Sequence, residues 1–265
     1  MRLLSALLLF TLAATALPAA PSSPWPQGKS CAVSLTYDDG LESQVINAGL
    51  ELNLRGLKAT FFPTGNSLDV SKNAKAWMAL AAKGHELGSH TMVHACSGAI
   101  AKSWLKPEDF LEAYDQARMA KELDQSIAFL RGLGAQGALT LAYPCGQSWV
   151  GAEHTSYVPL VQERFRAARG GGNQIADPMT VDLYNTPGYD GSGKTASGFR
   201  ALVEQARKKG GWLIIMFHGV GGDHLSVDAD AHAALLDALQ AAPDVWTAPY
   251  GKVAAWVAAA QARSK

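Results

Sequence analysis

Apolar and polar positions along the chain fall into two alternating patterns. Residues 31–35 and 212–217 are near-continuous apolar runs of strand length, which predicts strands buried on both faces, as in a parallel sheet. Between such runs lie segments whose apolar residues recur every three or four positions, which predicts helices. Residues 42–54 have this spacing, with Val45, Ile46, Gly49 and Leu50 on one side and Gly56 as a stop. Residues 73–83 repeat it, showing Trp77, Leu80 and Ala81 before Gly84. Pro107 opens the longest predicted helix, whose Phe110, Tyr114, Ala117, Leu123, Ile127 and Leu130 keep near-helical spacing as far as Gly132. Further helices are expected at 158–163, at 196–209, from an Asp228 cap to 241, and at 253–260. Further strands are expected at 58–62, 85–89, 138–142, 165–169, 180–184 and 245–247. Strand–helix units repeated over roughly 240 residues predict an α/β barrel rather than an open sheet.

Composition narrows the class. Of 265 residues 48% are hydrophobic and 17% charged, which describes a globular interior and excludes a disordered chain. No stretch resembles a linker, so residues 30–265 are expected to form a single domain. The 23 basic and 23 acidic residues cancel without any basic run, leaving no electrostatic footprint for nucleic acid. Residues 1–20 carry one Arg, an apolar stretch from Leu3 to Leu12, and small residues at Ala14, Ala16, Ala19 and Ala20. They read as a cleaved secretory signal, too short for a mature membrane anchor, so the chain is expected in the periplasm or the medium. Residues 21–29, with Pro21, Pro24, Trp25 and Pro26, then form an extended, mobile leader. Export permits a disulfide among Cys31, Cys96 and Cys145. Cys31 lies in the first buried strand, whereas Cys96 and Cys145 both follow segments of candidate chemistry and are the expected pair, although spacing alone does not fix connectivity.

That chemistry sits at strand ends. The first strand runs into Asp38, Asp39 and Gly40, where one carboxylate can bind a metal while the other takes a proton; an Asp-Asp-Gly turn is the plainer alternative. His90 and His94 are four apart, so on a helical turn both imidazoles face one way and, with Asp39, make a first shell for zinc or a similar divalent ion. His218 ends the 212–217 strand, with Gly219, Gly221 and Gly222 behind it, and supplies an acid. His85 reads as a core residue, and His154, His224 and His232 as solvent-facing. Trp104 and Trp149 lie in loops beside these segments, where stacking on a sugar and ordinary loop packing are both open.

Thr36-Tyr37-Asp38-Asp39-Gly40, His90-Thr91-Met92-Val93-His94, Ala142-Tyr143-Pro144-Cys145-Gly146 and Ile215-Met216-Phe217-His218 resemble, in order, motifs one, two, three and five of the polysaccharide deacetylases, carbohydrate esterase family four. The resemblance implies a distorted (β/α) barrel of about seven parallel strands and removal of acetyl groups from a polysaccharide or oligosaccharide. It implies Asp39, His90 and His94 as ligands of one divalent metal, Asp38 as general base, His218 as general acid, and the backbone N–H of Cys145 as oxyanion donor. Tyr143, Pro144 and Ile215, within the matched motifs, and Trp149 are further residues expected to touch or orient the substrate. Two departures stand out: Ala142 occupies the place of an Arg that orients the base, with Cys145 where an aromatic follows the Pro, and residues 166–170 do not match motif four. Arg169, at the end of the next predicted strand, is the expected replacement for that Arg. N-deacetylation is the activity expected; an O-acetyl esterase with the same site and a carbohydrate-binding protein that has lost turnover are the alternatives.

Overall fold

The run that begins at Cys31 becomes the central strand of a parallel sheet, and its alternation decides which carboxylate faces inward. In this computed structural model residues 24–26 and 28–264 are described, so the expected signal segment 1–20 lies outside the described residues. The strands are β1 (Cys31–Asp39), β2 (Thr60–Pro63), β3 (Glu86–Leu87), β4 (Leu141–Ala142), β5 (Trp149–Val150), β6 (Thr155–Ser156), β7 (Ala168–Arg169), β8 (Tyr189–Asp190), β9 (Trp212–Phe217) and β10 (Val245–Thr247). The helices are α1 (Gly49–Leu54), α2 (Leu68–Lys72), α3 (Ala74–Ala82), α4 (Gly98–Ala101), α5 (Gln116–Gly132), α6 (Val158–Arg164), α7 (Ala196–Lys209), α8 (Ala229–Gln240) and α9 (Tyr250–Arg263). In the main sheet the order is β3-β2-β1-β9-β8, all parallel, with β10 beside the first residues of β1. β4 and β7 form a second parallel pair, joined to the main sheet by single bridges at Ser89–Leu141 and Arg169–Thr186. The result is barrel-like, with helices packed outside; the ladders thin to single bridges at those two joints and do not close.

Along β1, Val33, Leu35 and Tyr37 join the core beneath the helices, together with Phe61, Trp77, Leu213, Ile215 and Phe217. Ala32 joins the smaller inner core with Phe62, Ala142, Trp212, Ile214 and Tyr250. Ser34 and Thr36 share the phase of Ala32 and bond across it, to Ala248 O at 3.0 Å and Ile215 O at 2.8 Å. Two-residue periodicity therefore carries Asp38 to the inside of the barrel. Asp39 would point outward, but its backbone turns to φ +77° and Gly40 follows at +76°. A Cβ at Gly40 would meet Val70 Cγ2 at 2.4 Å, so the turn requires glycine for both conformation and space.

Several expected elements differ. Residues 44–48 are π-helical, and the wider turn buries Gln44, Ala48, Gly49 and Leu52; of the expected face Gly49 is buried and Val45 packs on the core, but Ile46 and Leu50 are exposed. The helix expected from Pro107 is instead two 3₁₀ turns. α5 starts only at Gln116, because the Asp115 carboxylate caps it by accepting from Arg118 N at 2.7 Å. Residues 180–184 form turns in place of a strand; the strand of that region is β8. Trp25, within the expected leader, is buried against Trp246, with Nε1 donating to Gly210 O at 2.8 Å. No helix among the described residues is long and apolar enough to cross a membrane.

His232, expected at the surface, is fully buried beneath β1, its Nε2 sharing a hydrogen bond with Tyr37 OH at 2.7 Å. Desolvation pushes its pKa down to about 4. An unfolded imidazole titrates near 6.5, so between the two values the unfolded chain binds more protons. This part of the stability is complete above about pH 6.5 and is lost as pH falls toward 4, by at most about 3 kcal/mol. His232→Gln should flatten the fall in Tm between pH 7 and pH 4.5; parallel Tm profiles for variant and wild type would contradict this assignment.

Candidate metal centre and catalytic site

Asp39, His90 and His94 converge at the open end of the sheet. Asp39 Oδ1 lies 3.5 Å from His90 Nε2 and 3.4 Å from His94 Nε2, and the donor atoms of all three fall within 4.8 Å of one another. The two imidazoles do not share a helical turn, as their spacing suggested. Thr91 at φ +60° and His94 at φ +59° curl the loop so that the rings meet edge to face at 4.6 Å. Buried Glu122 holds this curl, its Oε1 accepting from the backbone N–H groups of Met92 and Val93 while Oε2 accepts from Tyr114 OH at 2.7 Å. His90 Nδ1–H donates to Ala142 O at 2.8 Å, which leaves Nε2 with its lone pair toward Asp39.

The charges suit a cation. Burial opposes ionisation of Asp39, but the hydrogen bond from His224 and the neighbouring imidazoles outweigh it and hold its pKa well below the usual carboxylate range. Burial, reinforced by the neighbouring His90, pushes His94 down to about 4, so its ring is neutral at pH 7. Asp39 Oδ1 is buried without a hydrogen-bond partner among the described residues, as a carboxylate oxygen reserved for a metal should be. The residues present thus fit a divalent ion. A second cluster, His94 with Cys96 and Cys145, has no thiolates to offer, because those sulfurs form the expected disulfide. That bridge closes a separation of 49 residues and ties the His94 loop to the Tyr143–Gly146 loop. Closing such a loop constrains the unfolded chain by about 4 kcal/mol on the chain-entropy account.

Asp38 lies beside this group, 3.9 Å from His90 Nε2, and is all but buried. Arg169, only 1% exposed, donates from Nη2 to Asp38 Oδ2 and from Nη1 to Gly170 O at 3.1 Å. Asp38 Oδ1 is left without a protein partner among the described residues. A cavity of about 790 Å³ opens over these groups, lined also by Cys145, His218, His224, Trp104 and Gly171. Gln44 Nε2 donates to the carbonyls of both Asp38 and His218, joining the ends of β1 and β9 behind the cavity. Cys145 lies in its wall with φ +54°.

Residues 26–156 match the family model described as polysaccharide deacetylase. The chain belongs to the polysaccharide deacetylase family. It is 32% identical over 161 residues to a gellan lyase of a Bacillus species, a match covering 61% of this chain and 5% of that protein, so the chain spans about one-twentieth of that relative's length. Among solved structures, a putative polysaccharide deacetylase from Mycobacterium smegmatis superposes with a TM-score of 0.65 at 19% identity, covering 92% of this chain and 95% of that one. The peptidoglycan N-acetylglucosamine deacetylase Bc1960 superposes with a TM-score of 0.57 at 18% identity, covering 86% and 89%. At these identities the structures speak for the fold.

In this member of the family the position of the missing motif-three Arg is Ala142, and Ala142 is the register partner of Arg169 across the β4–β7 pair. The guanidinium thus reaches Asp38 from the neighbouring strand at the same level of the barrel. The other expected residues divide. Tyr143 lines the cavity and donates its OH to Tyr184 O at 2.9 Å, and Pro144 is buried beside it. Trp149 does not line the cavity; it stacks on His154 at 3.6 Å on the β5–β6 hairpin. Ile215 is buried in the helix-side core, because β9 alternation turns Met216 inward instead. Trp104 lines the cavity and is 55% exposed. His218 lines it too, with Nδ1 buried and unpartnered among the described residues, consistent with the unmatched motif four. His224, expected to face solvent, donates from Nε2 to Asp39 Oδ2 at 2.8 Å. Glu122 had one sequence signal: it falls between Met119 and Ser126 on the buried face of α5.

Arg169→Ala removes the partner of a buried carboxylate. It should cut turnover by up to about 10²- to 10⁴-fold, the range a general base contributes, with bound metal retained. Ala142→Arg in that background should recover part of the loss. Undiminished turnover in the single variant would contradict the pairing's role.

Proposed function

We propose that the protein is an exported, zinc-dependent hydrolase that removes N-acetyl groups from a polysaccharide or oligosaccharide. The observation that carries this reading is the adjacency of two differently equipped carboxylates. Asp39 Oδ1 faces two imidazoles, while Asp38 is tied to Arg169 through one oxygen and has the other unpartnered. A protein that only bound glycan would have no use for the second arrangement. One carboxylate with two imidazoles is a donor set for zinc with positions left open. When bound there, the ion polarises the acetyl carbonyl and makes water a better nucleophile.

The chain's own residues supply the remaining steps. Asp38 Oδ1 takes the proton of the attacking water, while Arg169 on Oδ2 keeps that carboxylate aimed. The backbone N–H of Cys145, in the cavity wall, donates to the oxygen that becomes negative as the carbonyl carbon turns tetrahedral. His218 delivers a proton to the departing nitrogen, so that acetate and a free amine leave. Trp104, with Ile100 and Leu105, gives the cavity an apolar wall suited to the face of a sugar ring. The Cys96–Cys145 disulfide supports an oxidising compartment outside the cytoplasm. The activity in the name of Bc1960, removal of acetyl from N-acetylglucosamine, supports the choice of an amide.

Acetate and free amine should appear together from N-acetylated glucosamine oligosaccharides and not from O-acetylated xylan. Acetate from the xylan alone would replace the amide reading with the ester one, and none from either would end the deacetylase reading. Trp104→Ala should raise KM several-fold with metal content unchanged, whereas Trp149→Ala, outside the cavity, should leave KM alone; equal effects of the two would remove Trp104 from the binding wall.

A further inference from the structure

We infer that His224 is a positioning residue of the metal centre: it holds the far oxygen of Asp39 and thereby aims the near one at His90 and His94. This rests on the reading of Asp39, His90 and His94 as metal ligands. The two oxygens of Asp39 have separate surroundings. Oδ1 faces the imidazole pair and lacks a hydrogen-bond partner among the described residues, while Oδ2 accepts from His224 Nε2 at 2.8 Å. His224 is not one of the donors that gather within 4.8 Å, so it acts on the carboxylate rather than joining it. A carboxylate that ligates through one oxygen is free to rotate unless the other is anchored, and anchors of this kind govern metal affinity.

The loop that carries His224 is built to present it. The ring is 56% exposed, and a histidine side chain at such a position has water on most sides, yet this one is turned inward onto a carboxylate. Gly219 N donates to His224 O at 3.1 Å, Gly221 N to Val227 O at 2.8 Å and Gly222 N to Ser226 Oγ at 3.1 Å. Ser43 N fixes the preceding residue by donating to Asp223 Oδ2 at 2.9 Å, and Gly193 N donates to Ser226 O at 3.1 Å. Asp223 at φ +63° and Leu225 at φ +46° bracket the histidine in the left-handed region. A Cβ on Gly219 would lie 2.0 Å from Gly222 O, so the loop folds back more tightly than any other residue there allows.

The test is zinc binding to the metal-stripped full chain, read by competition with a chromogenic chelator, for wild type, His224→Ala, His224→Gln and Asp39→Ala. His224→Ala should weaken affinity about 10- to 100-fold, the usual effect of losing such a partner, with one zinc still bound at saturation. His224→Gln, which keeps an N–H donor, should recover much of that loss. Wild-type affinity in His224→Ala, or equal weakening by Ala and Gln, would overturn the inference while leaving the metal centre standing. No zinc uptake by wild type, or undiminished uptake by Asp39→Ala, would overturn the reading beneath it.

Discussion

A carboxylate buried at the mouth of a barrel is stable only if something charged or hydrogen-bonded meets it, and the Asp38–Arg169 pair is how this chain meets that demand. Much of the local architecture serves the pair. The phase of β1 sends Asp38 inward with Ala32, Ser34 and Thr36, and Gln44 fixes the carbonyl behind it. Phe62 offers a ring face to the guanidinium at 5.6 Å, and Arg169 arrives from the strand beside Ala142. Because Arg169 occupies one oxygen of Asp38, that carboxylate is distinguished from Asp39 beside it, and the two neighbours take different work.

The turn at Asp39 is the second condition. Consecutive residues of a strand face opposite sides, so two adjacent carboxylates reach one site only if the backbone leaves the extended region between them. The left-handed turn at Asp39 and Gly40 does this, and the same device recurs at Thr91 and His94, where it brings two imidazoles together without a helix. Glu122 and the Cys96–Cys145 bridge then hold the histidine loop from two sides.

What the sequence made legible follows from distance along the chain. The α7 helix, β9 and β10 matched their apolar patterns residue for residue, because local periodicity governs them. The convergence of Asp39, His90 and His94 and the cysteine pair were legible because strand ends of a barrel converge. Arg169 was reached by asking what could replace a missing partner of Asp38. His224 and Gln44 were not visible: the contact of His224 with Asp39 spans 185 residues and that of Gln44 with His218 spans 174, separations that carry no period. The exposed Ile46 and Leu50 went the other way, since a π-turn rotates a face that α-helical spacing assigns to the core.

The fold leaves the substrate to the cavity wall, and the centre beneath it is the claim on which the account rests. A crystal structure of the zinc-loaded protein, with anomalous data collected at the zinc edge, tests it most directly. The account predicts a single peak among Asp39 Oδ1, His90 Nε2 and His94 Nε2, with Asp38 still held by Arg169 and outside the ion's ligands. A peak elsewhere, or one that draws Asp38 away from Arg169 to become a ligand, would contradict it.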